Sequence, residues 1–225
     1  GHIPIVVGGT GFYIQALLYD IDFTDNDNDT SLRAELESFA KEHGAEALHE
    51  KLREVDQKSA ETIHANNIKR VIRAIEYFEQ TGEKISEHNE EMHQKESPYN
   101  FLYYVLTRDR KTLYERIDKR VDIMIANGLV KEIEKLKAMG CHRGQTSMQG
   151  LGYKEILDYL DGSCTLDEAV YILKRDTRHF AKRQLTWFRR ERDVRWLDLD
   201  RYQGNTDLIL KDILKDCEEK RIVLK

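Results

Sequence analysis

The stretch IPIVVGGTGFYIQALL, residues 3–18, constrains the fold more than any other part of the chain. IPIVV is apolar, largely β-branched and does not alternate, as expected of a strand covered on both faces. Beyond Gly8 and Gly9 the apolar residues take up helical spacing from Phe12 to Leu18. Strand, glycine turn and helix in that order form the unit of a parallel α/β sheet, so the predicted fold class is α/β. The glycines allow positive φ and close approach of a ligand. Free amides at the start of the helix favour an anion or a polar edge, and Thr10 adds a hydroxyl that can donate or accept. An ordinary turn with Thr10 as N-cap fits the same four residues, and both readings stand at this point.

The text then changes. DFTDNDNDT, residues 22–30, is polar and turn-rich and reads as a linker. After it come charged amphipathic helices with no strand: residues 32–43 up to Gly44, residues 45–54, a short piece after Asp56, and residues 68–80 ending at Gly82. A strongly polar stretch runs on to Pro98. FLYYVLT, residues 101–107, reads as a strand returning to the sheet. Asp109 is placed to cap a long helix to about Ala126, with Asn127-Gly128 as its stop. A second helix ends before Gly140, and the loop CHRGQTSMQGLG leads into a helix over residues 153–160. Thr165 and Glu168 have capping-box spacing and open a helix to about Arg190. Residues 194–197 form a last strand, and a C-terminal helix starts at Asp207. The predicted organisation is a helix-rich α/β core of residues 1–24 and 98–225, interrupted by an all-helical insertion of residues 25–97.

Composition narrows the function classes. Of 225 residues 40% are hydrophobic and 34% charged, with a net charge of −5. No run reaches the ~18 apolar residues of a membrane helix, and the first residues lack the layout of a signal peptide. Cys141, Cys164 and Cys217 are odd in number and contain no C-x-x-C pair. A reducing cytoplasm without disulfide or zinc is therefore expected. None of the histidines has metal-ligand spacing, and His64, His142 and His179 are expected only to hydrogen-bond.

Charge is unevenly spread. Between Lys174 and Arg195 lie nine basic residues against Asp176, Glu191 and Asp193. On a helical wheel Arg175, Arg178, Lys182 and Arg189 share one arc, while Leu173, Phe180 and Trp187 recur every seven residues on the other side. One face packs, and the other is either a solvated surface or a ridge for a nucleic-acid backbone. In LYERIDKRVDIM, Arg120 projects into the apolar stripe of Leu113, Ile117 and Met124. A guanidinium there needs a partner, either a carboxylate or a phosphate gripped by its planar fork. In HANNIKRVIRAIE, residues 64–76, Lys69, Arg70 and Arg73 edge a helix whose isoleucines and Val71 pack. A nucleoside or small-molecule kinase with a helical lid, and a helical RNA-binding module, both remain compatible with these features.

Taken in order, VGGTGFYIQALL, HANNIKRVIRAIEYFEQTG, LYERIDKRVDIMIANGLVKEI, SMQGLGYKEI and TRHFAKRQLTWFRR resemble the bacterial tRNA dimethylallyltransferase (tRNA isopentenyltransferase) family. The resemblance spans residues 3–197. It implies a P-loop kinase-like parallel-sheet core, incomplete in this chain, bearing a helical insertion. It also implies transfer of a dimethylallyl group from dimethylallyl diphosphate to N6 of adenosine 37 in tRNA, by a cytoplasmic monomer that grips the anticodon stem-loop and touches no membrane. Thr10 would sit beside the adenine amine and the diphosphate, and Arg120 would bind the diphosphate in the same tunnel. Arg33, Lys69, Arg70, Val71, Ile72 and Arg73 would contact tRNA from the insertion. Ser147, Met148 and Gln149 would do so from the loop before GLGYK, and Arg178, Lys182, Arg183 and Gln184 from the basic helix. Tyr13 matches the family turn, with packing as its simplest role. The family's G-x-x-x-x-G-K-[ST] loop, its aspartate base and the ligands of its Mg2+ match nothing in this sequence. The chain is therefore expected to be a fragment, inactive by itself, and those roles move to no residue here.

Overall fold

The computed structural model describes residues 3–21 and 31–222, so the expected linker at 22–30 lies outside the described residues. Ten helices and one parallel strand pair are seen among them: α1 (Gly11–Tyr19), α2 (Ser31–Val55), α3 (Gln57–Thr62), α4 (Ile68–Thr81), α5 (Ile85–Gln94), β1 (Tyr103–Thr107), α6 (Arg110–Ala126), α7 (Leu129–Ala138), α8 (Tyr153–Leu160), α9 (Leu166–Phe188), β2 (Val194–Asp198) and α10 (Thr206–Glu219). They form two compact units: residues 1–11 with 100–225, and residues 12–99. The second unit begins at Phe12 and includes α1. Within it, Ser97 Oγ donates to the carbonyl of Leu18 and Lys95 to that of Asp20, which ties α1 to the unit's far end.

The helical unit is built around Leu48 and Leu52 of α2, both fully buried, packed on Val71, Ile72 and Ile75 of α4. The expected break at Gly44 is a kink, with φ +88° there inside α2. Gly82 ends α4 at φ +72°, a left-handed cap that favours glycine. α5 grows out of the polar stretch before Pro98, and the sequence shows no apolar period there. A buried carboxylate holds it in place. Asp56 caps α3 through the Ser59 amide (3.0 Å) and hydroxyl (2.7 Å), and also accepts from the Ser86 amide (3.0 Å) and hydroxyl (2.8 Å) of α5. Burial pushes this carboxyl up, but the four donors outweigh it and hold it below the ordinary value of 3.8. His49 performs a similar task on the other end of α3, its Nε2 lying 3.0 and 2.8 Å from the carbonyls of Ala60 and Ile63.

In the other unit β1 and β2 pair in parallel, Tyr103 opposite Val194 through Thr107 opposite Asp198. A second core lies among α6–α9, with Val121, Ile133, Ile156, Ala169 and Leu173 buried together. The expected caps are present. Asp109 accepts from the amides of Lys111 and Thr112, and Thr165 and Glu168 form the capping box of α9. Tyr103 of β1 packs edge-on against Phe188 at the end of α9. Tyr104 donates to Asp216 of α10 (2.6 Å), which also pairs with Arg195, the register partner of Tyr104 on β2. Those two donors hold the Asp216 carboxyl below its usual range, while burial and Asp216 push the Tyr104 phenol above its own.

One expected strand does not form. Residues 3–7 carry no regular secondary structure and pair with no strand among the described residues, with Ile5 84% and Val7 90% exposed. A strand exists only where a neighbour offers its row of amides and carbonyls. Among the described residues the sheet consists of β1 and β2 alone.

Asp56→Ala should destabilise the helical unit by about 2–4 kcal/mol, because four buried donors lose their acceptor. The stabilisation comes from the ionised form, since the native value is depressed. It is therefore present above pH 3.8 and lost as pH falls through the native value. Urea titrations of wild type and Asp56→Ala should differ fully at pH 7 and converge as pH falls through the depressed native value.

Candidate functional site

Gly8, Gly9 and Thr10 are exposed to solvent, while Gly11 is buried. Gly8, Gly9 and Gly11 are absent from the positive-φ residues, so the expectation that dihedral freedom explains the glycines is corrected. Close approach explains two of them. A Cβ on Gly9 would lie 2.3 Å from Nε2 of Gln184, and one on Gly11 2.2 Å from the Trp187 ring, whereas one on Gly8 would meet nothing within 4 Å. Gln184 donates through Nε2 to the Gly9 carbonyl at 2.7 Å. The Trp187 contact is packing, since its buried indole N–H meets no acceptor among the described residues.

α9 is also joined to α6. Arg178 donates to Asp118 at 2.5 Å, and Lys174 lies 2.6 Å from Asp122. Both pairs have four-residue spacing on each helix, which puts them on facing stripes. The arc of four cations is therefore partly consumed. Arg178 is tied to Asp118 and Arg175 to Asp176, while Lys182 and Arg189 are exposed with no ion pair among the described residues. The opposite stripe is not wholly core either. Leu173 is buried, but Phe180 is 40% exposed with the Arg183 guanidinium 5.8 Å above its ring.

Arg120 is exposed, which corrects its expected placement inside the apolar stripe. Val121 is the buried centre of that face of α6. Arg120 is on its rim next to Leu113, roughly 160–200° around the helix from Asp118 and Asp122, which explains why neither acid reaches it. No carboxylate pairs with Arg120 among the described residues, so its fork is available.

The loop before GLGYK contains a 3₁₀ turn, Thr146–Gln149. Ser147 and Gln149 are exposed, but Met148 is only 1% exposed and packs in the second core, which corrects its reading as a surface contact. Gly152, at φ +101°, turns the loop into α8, where its amide donates to the buried carboxylate of Glu155 (2.8 Å). Lys154, in the first turn of α8, bridges Glu155 (3.2 Å) and Asp176 of α9 (3.5 Å) and so ties α8 to the basic helix where the loop ends.

In the helical unit Lys69 and Arg70 are exposed. Arg73 is half-buried. Val71 and Ile72 are 0% and 3% exposed, which corrects their reading as contacts: they point into the core between α4 and α2. Arg33 is not a free surface cation. Its Nε and Nη2 form a fork to Glu76 at 2.8 and 2.6 Å, and Glu76 is 5% exposed. Glu76 lies four residues after Ile72 on the buried face, a position legible in the sequence. The histidines serve locally: Nδ1 of His64 accepts from the Asn66 amide and Nδ1 of His142 from the Gly144 amide.

Among the described residues no three His, Cys, Asp or Glu side chains cluster so as to hold a metal. No helix among them is long and apolar enough to cross a membrane.

Residues 1–191 match the family model of IPP transferase. The tRNA dimethylallyltransferase of Lachnoclostridium phytofermentans is 60% identical over 99% of this chain and 71% of its own length. That of Acetivibrio thermocellus is 54% identical over 93% and 67%. The structure of the full-length tRNA isopentenylpyrophosphate transferase from Bacillus halodurans superposes with a TM-score of 0.60 at 42% identity, covering 94% of this chain and 66% of that one. That of a eukaryotic dimethylallyltransferase acting on tRNA gives a TM-score of 0.73 at 27% identity, covering 96% and 57%. The chain thus spans about two thirds of the length of the bacterial proteins it resembles. With turn, α6, loop and α9 arranged as described and the family model reaching from the first residue to Glu191, this chain belongs to the IPP transferase family.

Proposed function

We propose that the protein transfers a dimethylallyl group from dimethylallyl diphosphate to N6 of adenosine 37 in tRNA, with the anticodon stem-loop as the macromolecular partner. Two exposed groups of one compact unit carry this reading: the Thr10 hydroxyl on a turn held by α9, and the Arg120 fork on α6 with no acid partner among the described residues. An exposed cation without a carboxylate has no ion pair to break before it binds a phosphate. By the same criterion Lys69, Arg70 and Lys182 are suited to the tRNA backbone, whereas Arg33 and Arg178 are already engaged by Glu76 and Asp118.

The chemistry is displacement at an allylic carbon. The C–N bond to the adenine amine forms as the C–O bond to diphosphate breaks, and the diphosphate leaves with the electron pair. The amine then loses a proton to a base assigned to no residue here. Thr10 orients the amine, and Arg120 binds the leaving charge, which grows in the transition state. The target base must leave its stack to be reached. Mg2+ belongs to this reading through the family alone, and no step is routed through it. Ser147 and Gln149 would contact the stem-loop beside Arg183.

Full-length protein incubated with tRNA and labelled dimethylallyl diphosphate should place label on N6 of the adenosine beside the anticodon. ATP-dependent phosphoryl transfer without a tRNA requirement would overturn the assignment. Arg120→Ala should raise the KM for dimethylallyl diphosphate about 10–100-fold, the loss of a charge-assisted contact of roughly 1.5–3 kcal/mol, and leave the KM for tRNA unchanged. Unchanged transfer at limiting diphosphate would sink its role. Lys182→Ala should lower the slope of log K for tRNA against log salt by about 0.7–0.9, one phosphate contact, as measured by filter binding at several salt concentrations.

A further inference from the structure

We propose that Gln184, seconded by Trp187, is a positioning residue for the Thr10 hydroxyl: its side-chain amide holds the Gly9 carbonyl and thereby fixes the turn that aims Thr10. The inference rests on the prenyl-transfer reading for its kinetic consequence but not for the contact itself. Gln184 occurs in the run TRHFAKRQ among cations, where a role in tRNA contact is the first expectation. Its place on α9 argues otherwise. Gln184 is about 200° around the helix from Lys182 but only about 60° from Trp187 and about 20° from Leu173, so it shares the packing side and not the basic ridge. Its Nε2 is 2.7 Å from the Gly9 oxygen.

The glycines record the same contact from the other side. Gly9 and Gly11 have no positive φ, so their backbone does not require glycine. A Cβ at either position would collide with Gln184 or Trp187, while Gly8 between Val7 and Gly9 has open space. Thr10 is therefore flanked by the two points at which α9 touches the turn. One is a hydrogen bond and the other an indole ring. A hydroxyl that must meet a reacting amine within a few tenths of an ångström gains from being pinned on both sides, because small misplacement costs rate rather than binding.

The geometry predicts a specific coupling. Gly9→Ala would push aside the flexible end of Gln184 and break the same hydrogen bond that Gln184→Ala removes. In the full-length enzyme each variant should lower kcat about tenfold or more while leaving the affinity for an anticodon stem-loop within about twofold. The double variant should be no worse than the single ones, since Gln184→Ala vacates the space the new methyl needs. Gln184→Glu, which cannot donate to a carbonyl, should behave like Gln184→Ala. Weakened stem-loop binding with kcat intact, or multiplicative losses in the double variant, would overturn the proposal. Hydrogen–deuterium exchange on the substrate-free protein decides the contact independently. Gln184→Ala should speed exchange in the peptide covering residues 7–12, and unchanged exchange there would overturn it. If the wild type transfers no dimethylallyl group, the functional reading fails while the exchange result still decides the contact.

Discussion

The seating of α9 determines most of what this chain can do. Its buried residues Ala169 and Leu173 fill the core shared with Ile133 and Ile156, and that burial, worth roughly 1.5–3 kcal/mol for each large side chain, fixes the helix axis. Once the axis is set, three segments distant in sequence are placed by it. Lys174 and Arg178 draw in α6, Asp176 draws in the first turn of α8 through Lys154, and Gln184 and Trp187 receive the Gly9–Gly11 turn. The C-terminal end of the helix packs Phe188 on Tyr103 of the sheet.

This arrangement separates two kinds of cation that look alike in a list of arginines and lysines. Some are structural, with a carboxylate in contact: Arg178, Arg175, Lys174 and, in the helical unit, Arg33. Others are exposed with no ion pair among the described residues: Arg120, Lys182, Lys69 and Arg70. The ion pairs are partly solvated, so each contributes modestly to stability. Their greater effect is to subtract those side chains from the set that can meet a phosphate. The helical unit follows the same principle with an anion at its centre, where the four donors around Asp56 join α3 to α5.

Much of the fold was legible. The strands at 101–107 and 194–197, the caps at Asp109 and Thr165, the stops at Gly82 and Gly128 and the kink at Gly44 all follow from local rules, because each is decided within a few residues of itself. The family resemblance could name candidate site segments for the same reason: they are contiguous motifs. Less legible were individual roles within them. Val71, Ile72 and Met148 belong to site motifs yet face the core, since a helix or 3₁₀ turn shows only part of its circumference to a ligand.

By itself the sequence determined where elements start and stop, which faces are apolar, and which segments carry chemistry, because those properties reside in spacing and composition. Only the tertiary structure decided that residues 3–7 lie unpaired, that Arg33 and Arg178 are engaged, and that Arg120 is on a rim. It alone showed why Gly9 and Gly11 are glycines. Each of these depends on a partner far away along the chain, and no local pattern encodes the distance to it.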